Sequence, residues 1–240
     1  MTTWAIGDIH GNARQFERLL HHIKFDAATD QLIILGDVID RGPDSKRVME
    51  MLLELHGRNR RHVLLRGNHE NMVIRLSEGY GYDLYPWLTE GGRACLWSYG
   101  IDDKNIKQEG TLFKYRVRNP ENRVVSDLKL NNSKDLQVFM RLVFSRQHLV
   151  FLRSSRDHYT AGDFMFVHDC ADAAGETRIV VCGHEHLIRP HVGPKRICIG
   201  LDNNRIAAFH LRDFICIDSE GTVYDIPLSI VLGPTKGKGK

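Results

Sequence analysis

Cysteine is scarce in this chain, and its spacing indicates no known cysteine-based module. No two of the five cysteines stand in a Cys-x-x-Cys pair: Cys95, Cys170, Cys182, Cys198 and Cys216. An odd number without that spacing argues against a disulfide-stapled scaffold and against a thiolate zinc module. The sequence therefore predicts reduced cysteines, with those on strands buried in the core.

Long apolar runs and a strong net charge are also absent. No apolar stretch reaches the length of about eighteen residues that a bilayer span needs, and residues 1–4 run directly into a predicted strand. We therefore expect no membrane partner, no secretion leader and a cytoplasmic location. The formal net charge is only +3 at pH 7, which does not indicate nucleic-acid binding.

The length and composition predict one domain. A chain of 240 residues with 42% hydrophobic content can bury one sizeable core, which we assign to residues 1–230. A polar, basic insertion interrupts it at about 101–135, where alternation over 112–118 and a turn at 119–122 predict a hairpin. This hairpin is either part of a cap near the active rim or a solvated surface loop. Residues 231–240 are predicted to be a disordered tail.

The most informative pattern is a set of three glycine-flanked polar motifs in the first seventy residues. They are Gly7-Asp8-Ile9-His10-Gly11, Gly36-Asp37-Val38-Ile39-Asp40-Arg41-Gly42 and Gly67-Asn68-His69-Glu70. Each follows a predicted strand, near 3–7, 31–36 and 61–66, and precedes a predicted helix, near 12–24, 44–57 and 69–78. This rhythm predicts an α/β fold in which parallel strands bring the motifs to one edge.

The second half of the chain predicts more strands. One or two helices follow Leu136, and strands are predicted near 163–168, 178–182, 195–200, 204–210, 213–218 and 222–227. These β-rich runs predict a second sheet packed on the first, which gives two packed mixed β-sheets flanked by helices.

The motif side chains are hard oxygen and nitrogen donors. Asp8, His10, Asp37 and Asn68 suit manganese, iron or zinc, with no cysteine nearby. His168 and His184 end two further predicted strands. Asp37 lies on the middle motif and could bridge two ions about 3.5 to 4 Å apart, the arrangement that activates water against a phosphoryl group. The sequence thus predicts a dinuclear centre.

The motifs resemble those of the calcineurin-like metallophosphoesterases. The Asp-Arg-Gly and His-Glu endings favour the phosphoprotein phosphatase branch, which includes bacterial and phage serine/threonine phosphatases. The segments 87–100 and 148–168 are also similar to bacterial members. The resemblance covers about residues 3–100 and 147–200, and it implies the metallophosphatase α/β/β/α sandwich.

The resemblance also implies roles for individual residues. The implied first-metal ligands are Asp8, His10 and Asp37, and the implied second-metal ligands are Asp37, Asn68, His168 and His184. His69 would be the general acid, with Asp40 orienting its ring and Arg41 gripping the phosphate. Hydrolysis would proceed by direct attack of a metal-bound hydroxide, without a covalent enzyme intermediate.

Two features depart from the branch. His186 is either a ligand of the first metal, as in the broader superfamily, or a surface residue. The segment between His168 and His184 is short, and the family's second phosphate-gripping arginine has no obvious counterpart. Arg178 stands nearby in sequence, but it is expected to be structural.

These observations predict a phosphatase that acts on phosphoserine or phosphothreonine, with phosphotyrosine as a further candidate substrate. Its cofactors would be two divalent metal ions, and manganese is the metal we expect first. Its partner would be a phosphorylated protein or a small phosphoester. Two alternatives remain open. One is a hydrolase of nucleotides or dinucleoside polyphosphates, and the other is a phospho-ligand binding module that has lost catalysis.

Overall fold

The computed structural model describes residues 2–202 and 204–232, so most of the predicted tail lies outside it. Among the described residues, no helix is both long and apolar enough to cross a bilayer. The helices are α1 Ala13–His22, α2 Ser45–Arg58, α3 Asn68–Glu78, α4 Leu84–Trp87, α5 Arg93–Ser98, α6 Ser133–Val143, α7 Arg146–Arg153 and α8 Leu228–Leu232. Residues 231 and 232, which we predicted as tail, therefore end α8.

The first sheet has six strands in the order β14-β13-β12-β1-β2-β3. Its strands are β1 Thr3–Ile6, β2 Gln31–Ile34, β3 Val63–Leu64, β12 Ala207–His210, β13 Ile215–Asp218 and β14 Val223–Asp225. The first three are parallel, as the sequence predicts, and β12 adds to β1 in antiparallel register. The prediction that all the C-terminal strands form a second sheet is therefore wrong for β12, β13 and β14.

The second sheet has five strands in the order β10-β11-β9-β8-β7. They are β7 His158–Ala161, β8 Phe164–Val167, β9 Ile179–Cys182, β10 His191–Gly193 and β11 Arg196–Cys198. The three central strands are parallel to one another, and each edge strand pairs in antiparallel fashion. The edge strands β7 and β10 are not predicted by the sequence, because they are short and half-exposed.

Alternation along the strands divides the core into layers. On β1, Ala5 faces the second sheet and packs in a cluster with Phe166 and Phe209. Its neighbours Trp4 and Ile6 face the helices and belong to the larger cluster that α1, α2 and α3 cover. The predicted arrangement of mixed sheets flanked by helices is thus confirmed.

The insertion forms a third, antiparallel sheet of β4 Ile106–Glu109, β5 Leu112–Arg118 and β6 Val124–Lys129. The predicted hairpin is confirmed as β5 and β6, and β4 is an addition. Phe113 is buried with the helical core, and the Tyr115 ring lies 4.9 Å from that of Phe139 on α6. The insertion is therefore packed against the helices, although the charged side of the hairpin remains exposed.

The cysteine prediction is wrong at two positions. Cys170 and Cys182 form a disulfide, whereas Cys95, Cys198 and Cys216 are free and buried. Cys182 is the last residue of β9. Cys170 begins a single 3₁₀ turn, Cys170–Ala173, which follows β8 and covers the outer face of the second sheet. Strand pairing brings these distant residues together, which sequence spacing does not reveal.

Candidate dinuclear metal centre

Strand ends carry the predicted ligands to one edge of the two sheets. Asp8 and His10 follow β1, Asp37 follows β2, and Asn68 opens α3 just after β3. His168 and His184 follow β8 and β9 of the second sheet in the same way. Because these strands are parallel within each sheet, their carboxyl ends place polar groups together at the rim.

Backbone strain concentrates at these positions. Ten described non-glycine residues have positive φ, and five of them are predicted site residues: His10, Asp37, Asp40, Arg41 and His184. A left-handed conformation is costly for a residue with a Cβ, and it persists only where the surrounding structure enforces it. The turns at the rim therefore fix the directions of these side chains at the expense of local stability.

Asp37 lies at the centre of the cluster. Its Oδ2 is 3.6 Å from His10 Nε2 and 3.5 Å from His168 Nε2. Two groups of donor atoms share this carboxylate, His10 with His69 on one side and His168 with His184 on the other, with the atoms of each group within 4.8 Å of one another. A bridging carboxylate between two ions needs this arrangement.

Backbone carbonyls orient two of the imidazoles. His10 Nδ1 donates to Ile39 O at 3.1 Å, and His168 Nδ1 donates to Leu35 O at 2.9 Å. In both rings Nε2 then faces Asp37. His10 Nε2 is buried and has no hydrogen-bond partner among the described residues. Such an orphaned nitrogen, fixed by a hydrogen bond on the other side of its ring, fits a metal ligand.

The remaining predicted ligands adjoin the same cluster. His184 N donates to Asp8 Oδ1 at 3.0 Å, which brings the first and fifth ligand segments into contact. Asn68 Oδ1 and His184 Nδ1 each lie 3.1 Å from His168 Nε2. The oxygen and nitrogen donors that the sequence singled out are therefore brought together from distant parts of the chain.

Burial makes this carboxylate cluster electrostatically unfavourable by itself. Burial, with Glu70 and Asp8 nearby, raises the pKa of Asp37 well above its usual value. Burial also raises the pKa of Asp8. In contrast, burial lowers the pKa of His10 to about 2, with His69 and Arg41 adding to the effect. Because the imidazole does not supply a compensating positive charge, a divalent cation would stabilise the ionised carboxylates.

Glu70 shapes the loop that carries Asp37. Its carboxylate accepts hydrogen bonds from the backbone N–H groups of Asp37, Val38 and Gly67 at 2.7 to 3.0 Å. It is fully buried, so these three charge-assisted bonds replace its water. Sequence reasoning assigns Glu70 no role of its own, although it belongs to the third motif.

A proton-transfer pair lies beside the cluster. His69 Nδ1 donates to Asp40 Oδ2 at 2.7 Å, and both side chains are completely buried. Trp87 Nε1 also donates to the Asp40 carboxylate, at 3.0 and 3.1 Å. His69 Nε2 has no hydrogen-bond partner among the described residues and lies 4.0 Å from Asp37 Oδ2. The free nitrogen is thus positioned to exchange a proton with a group bound at the cluster.

His186 contacts an arginine in this structure. Arg41 Nη1 lies 2.9 Å from His186 Nε2, and the His186 ring stacks 6.4 Å from that of His10. The exposed His186 is thus next to the first-metal side of the cluster without joining either donor group. Its role as a ligand stays a prediction.

Two cavities adjoin the cluster. One of about 510 Å³ opens beside His168 and His184, and its charged walls are Arg66, Asp157, Asp169 and Asp172. A smaller one of about 100 Å³ opens beside His10, with Arg41, His186 and Arg205 on its wall. No residue of the insertion lines either cavity in the described ranges 2–202 and 204–232. Arg178 pairs with Glu176 and lines neither cavity, and its structural role stays a prediction.

Comparison with known proteins identifies the family. The model for calcineurin-like phosphoesterases matches residues 1–187, more than half of the sequence. The chain belongs to the calcineurin-like phosphoesterases. This family uses a dinuclear centre of divalent metal ions, which agrees with the donor set around Asp37.

Curated relatives with two different kinds of name match the chain. Over 79 residues the chain is 37% identical to a symmetrical bis(5'-nucleosyl)-tetraphosphatase of Nitrosospira multiformis, covering 33% of this chain and 28% of that protein. It is 34% identical over 105 residues to serine/threonine-protein phosphatase 2 of Escherichia coli, covering 44% of each. It is 37% identical over 110 residues to serine/threonine-protein phosphatase 1 of Salmonella typhimurium, covering 46% of each. The chain thus spans less than half of these relatives.

A solved structure supports the fold of this calcineurin-like phosphoesterase. The crystal structure of a candidate diadenosine tetraphosphatase aligns with a TM-score of 0.57 and 16% identity, covering 90% of this chain and 92% of the other. At that identity the likeness concerns the fold.

Proposed function

We propose that this chain is a dinuclear metal-dependent phosphatase that hydrolyses phosphomonoesters of phosphoserine and phosphothreonine. The observation that carries the proposal is the position of the Asp37 carboxylate between His10 Nε2 and His168 Nε2, with the buried His69 and Asp40 pair beside it. The Asp37 carboxylate and its neighbouring donors provide a place for two cations. The His69 and Asp40 pair provides a proton for a departing alkoxide.

The residues present fit two metal ions. We assign Asp8, His10 and Asp37 to the first ion, with His186 as a further candidate, and Asp37, Asn68, His168 and His184 to the second. Bound there, divalent ions would activate water and neutralise phosphoryl charge. Manganese suits this mixture of carboxylate, amide and imidazole donors, and iron or zinc would also be accepted.

The chain's own groups account for binding and proton transfer. Arg41 lies at the rim, where its guanidinium can donate to two oxygens of a phosphoryl group. His69 donates the Nε2 proton to the leaving oxygen, while Asp40 accepts the Nδ1 hydrogen bond and stabilises the positive ring. Trp87 holds the Asp40 carboxylate in place through its indole N–H.

The larger cavity favours a peptide over a polyphosphate leaving group. Asp157, Asp169 and Asp172 line it, and Arg66, the one arginine on its wall among the described residues, donates to Ser155 and lies 3.5 Å from Asp157. A nucleoside polyphosphate leaving there would place several negative charges against carboxylates. A seryl or threonyl leaving group carries no such charge.

A dinucleoside polyphosphate hydrolase is the second candidate. Arg205 shares the smaller cavity with Arg41 and His186, so cationic groups are present on the first-metal side. However, Arg205 is bound to Asp218, Tyr224 and Ile188 O, which limits its reach. The complete donor set and the intact His69 and Asp40 pair argue against a module that has lost catalysis.

The test compares three substrates in the presence of Mn²⁺: an activated aryl phosphate, a phosphoserine peptide and a diadenosine tetraphosphate. We expect phosphate release from the first two, with His69→Asn lowering peptide turnover by about 10²- to 10⁴-fold. The aryl phosphate should be less affected, because its leaving group departs without a proton. The exposed His191 provides the control variant His191→Asn, which should match the wild type.

Each alternative predicts a different result. A kcat/KM that is highest for the dinucleotide would favour the second candidate over a protein phosphatase. No turnover of any substrate by protein that contains two metal ions per chain would favour the binding module. Equal loss on all substrates in His69→Asn would contradict its role as a general acid.

A further inference from the structure

Three cysteine sulfurs meet on the outer face of the second sheet, where Cys170 and Cys182 each stand two residues from a proposed metal ligand, His168 and His184 respectively. Cys198 Sγ lies 3.0 Å from Cys182 Sγ and 3.4 Å from Cys170 Sγ, and Cys170 and Cys182 are joined as a disulfide. All three side chains are buried, at 0 to 4% exposure. A disulfide alone needs only two of these residues, so the position of the third sulfur points to a further role.

Separate elements supply the three sulfurs. Cys182 and Cys198 are register partners on the parallel strands β9 and β11, so their side chains point to the same face. Cys170 lies on the 3₁₀ turn that covers this face, and Val167, Ala173 and Val180 complete the cluster. Three ligands held on rigid, neighbouring elements and shielded by apolar side chains are typical of a built metal site.

The arrangement fits a shared ion better than an exchange between thiol and disulfide. Exchange requires the attacking sulfur in line with the bond that breaks. Here Cys198 is nearly equidistant from the two bonded sulfurs, so its sulfur is not in line with the S–S bond. Once the disulfide is reduced, three thiolates on one buried face can coordinate one ion from the same side.

We propose that Cys170, Cys182 and Cys198, with the disulfide reduced, form a three-thiolate site for one thiophilic cation such as Zn²⁺ or Cd²⁺. A water-soluble phosphine opens the disulfide, which gains two electrons and two protons to give two thiols, while the phosphine takes oxygen from water and becomes its oxide. The cation then displaces three thiol protons to the buffer and forms three metal–sulfur bonds. The proposal is independent of the phosphatase activity.

The test titrates Cd²⁺ into phosphine-reduced, full-length protein that is already saturated with Mn²⁺. We expect an ultraviolet thiolate-to-cadmium charge-transfer band that saturates at one ion per chain, and a cadmium NMR signal in the range of sulfur-rich sites. Cadmium that displaces manganese from histidine and carboxylate ligands produces neither signal, so the catalytic centre does not interfere.

Variants identify the ligands. Cys198→Ala should abolish the signals, whereas the control Cys216→Ala, which removes an equally buried cysteine elsewhere, should leave them unchanged. Should Cys198→Ala fail to fold, the cadmium NMR of the wild type still decides, because the absence of a signal in the range of sulfur-rich sites overturns the proposal. A persistent Cys170–Cys182 disulfide without the band under reducing conditions overturns it too, as does a full band in Cys198→Ala.

Discussion

At the residue scale, Asp40 shows how a buried charge depends on its partners. The side chain is inaccessible to water, and its carboxylate accepts hydrogen bonds from His69 and from Trp87. An ionised carboxylate in an apolar interior is stable only with such donors. Trp87 therefore acts on His69 indirectly, by fixing the acceptor that orients the ring.

Trp87→Phe should lower kcat for a phosphopeptide about tenfold, which corresponds to the roughly 1 to 2 kcal/mol of one charge-assisted hydrogen bond. KM should stay nearly constant, because Trp87 does not line either cavity at the cluster. Steady-state kinetics on folded protein measure both. The control is Trp97→Phe, which removes an indole hydrogen bond to Asp103 at an exposed position. An unchanged kcat in Trp87→Phe would contradict the positioning role.

His62 provides a prediction about pH. Its Nδ1 accepts the Leu32 N–H at 3.0 Å, and burial, with His56 and Arg61 nearby, lowers its pKa to about 4. Between pH 4 and 6.5 the unfolded chain binds this proton and the folded chain does not, so stability falls as the pH falls. His62→Gln should make the fall in the free energy of unfolding between pH 7 and pH 4 smaller by about 1 to 2 kcal/mol, a figure that allows for the partial exposure of His62. Urea unfolding at several pH values measures this, and parallel curves for both proteins would contradict it.

At the element scale, the segment 87–92 supports the turn that carries Asp40 and Arg41. Gly91 O accepts a hydrogen bond from Arg41 N at 3.2 Å, and Gly91 has φ of 123°. A Cβ at Gly91 would lie 2.6 Å from Arg41 N and 2.7 Å from Arg41 Cγ. The segment thus contacts both proposed catalytic residues, and a side chain at Gly91 would collide with Arg41.

Gly91→Ala should move Arg41 and strain the backbone, at a cost of about 1 to 3 kcal/mol in the free energy of unfolding. We expect KM for the phosphopeptide to rise, because the guanidinium no longer reaches the phosphoryl oxygens. The matched control is Gly57→Ala on α2, where no atom lies within 4 Å of the added methyl group. That variant should be slightly more stable and fully active. An unchanged KM and an unchanged stability in Gly91→Ala would contradict the proposed effect of the contact between Gly91 and Arg41.

Element boundaries were predicted well where the signal is local. The parallel strands β1, β2 and β3 and the helices between them match the predictions, because an apolar run that ends in a glycine-rich turn specifies both elements. Sheet membership was not predictable in the same way. Strands β12 to β14 have the same pattern in either sheet, and only their packing against β1 assigns them to the first.

At the scale of the whole molecule, the two sheets meet around a cluster of acids that are buried without a sufficient counter-charge. Asp8, Asp37 and Glu70 all have pKa values raised primarily by burial. At these three carboxyl groups the metal-free folded state therefore binds more protons than the unfolded state above pH 4, and their contribution to stability decreases as the pH rises. Bound cations would remove this penalty.

Removal of the divalent ions with a chelator should abolish activity and lower Tm by roughly 10 °C. This value assumes that metal ions at a thousandfold excess over their Kd stabilise the folded state by about 4 kcal/mol. The difference in Tm between metal-bound and chelated protein should be larger at pH 8 than at pH 5.5. Calorimetry with and without Mn²⁺ measures it, and Asp37→Asn should reduce the difference. A difference that shrinks with rising pH would contradict this electrostatic account.

The sequence by itself determined the local features of this protein. These are the motifs that join a strand to a turn, the kinds of metal-donor atom that the motifs carry, and the family that the motifs indicate. These are properties of neighbouring residues, because glycine, carboxylate and imidazole at a strand end are not the residues that build an apolar core. The tertiary structure decided which distant groups meet. The indole of Trp87 on Asp40, the contact of His186 with Arg41 and the convergence of three cysteines all depend on packing between segments. Such contacts produce no periodic pattern in the sequence, because they form only when the strands pair into sheets and the helices pack on those sheets.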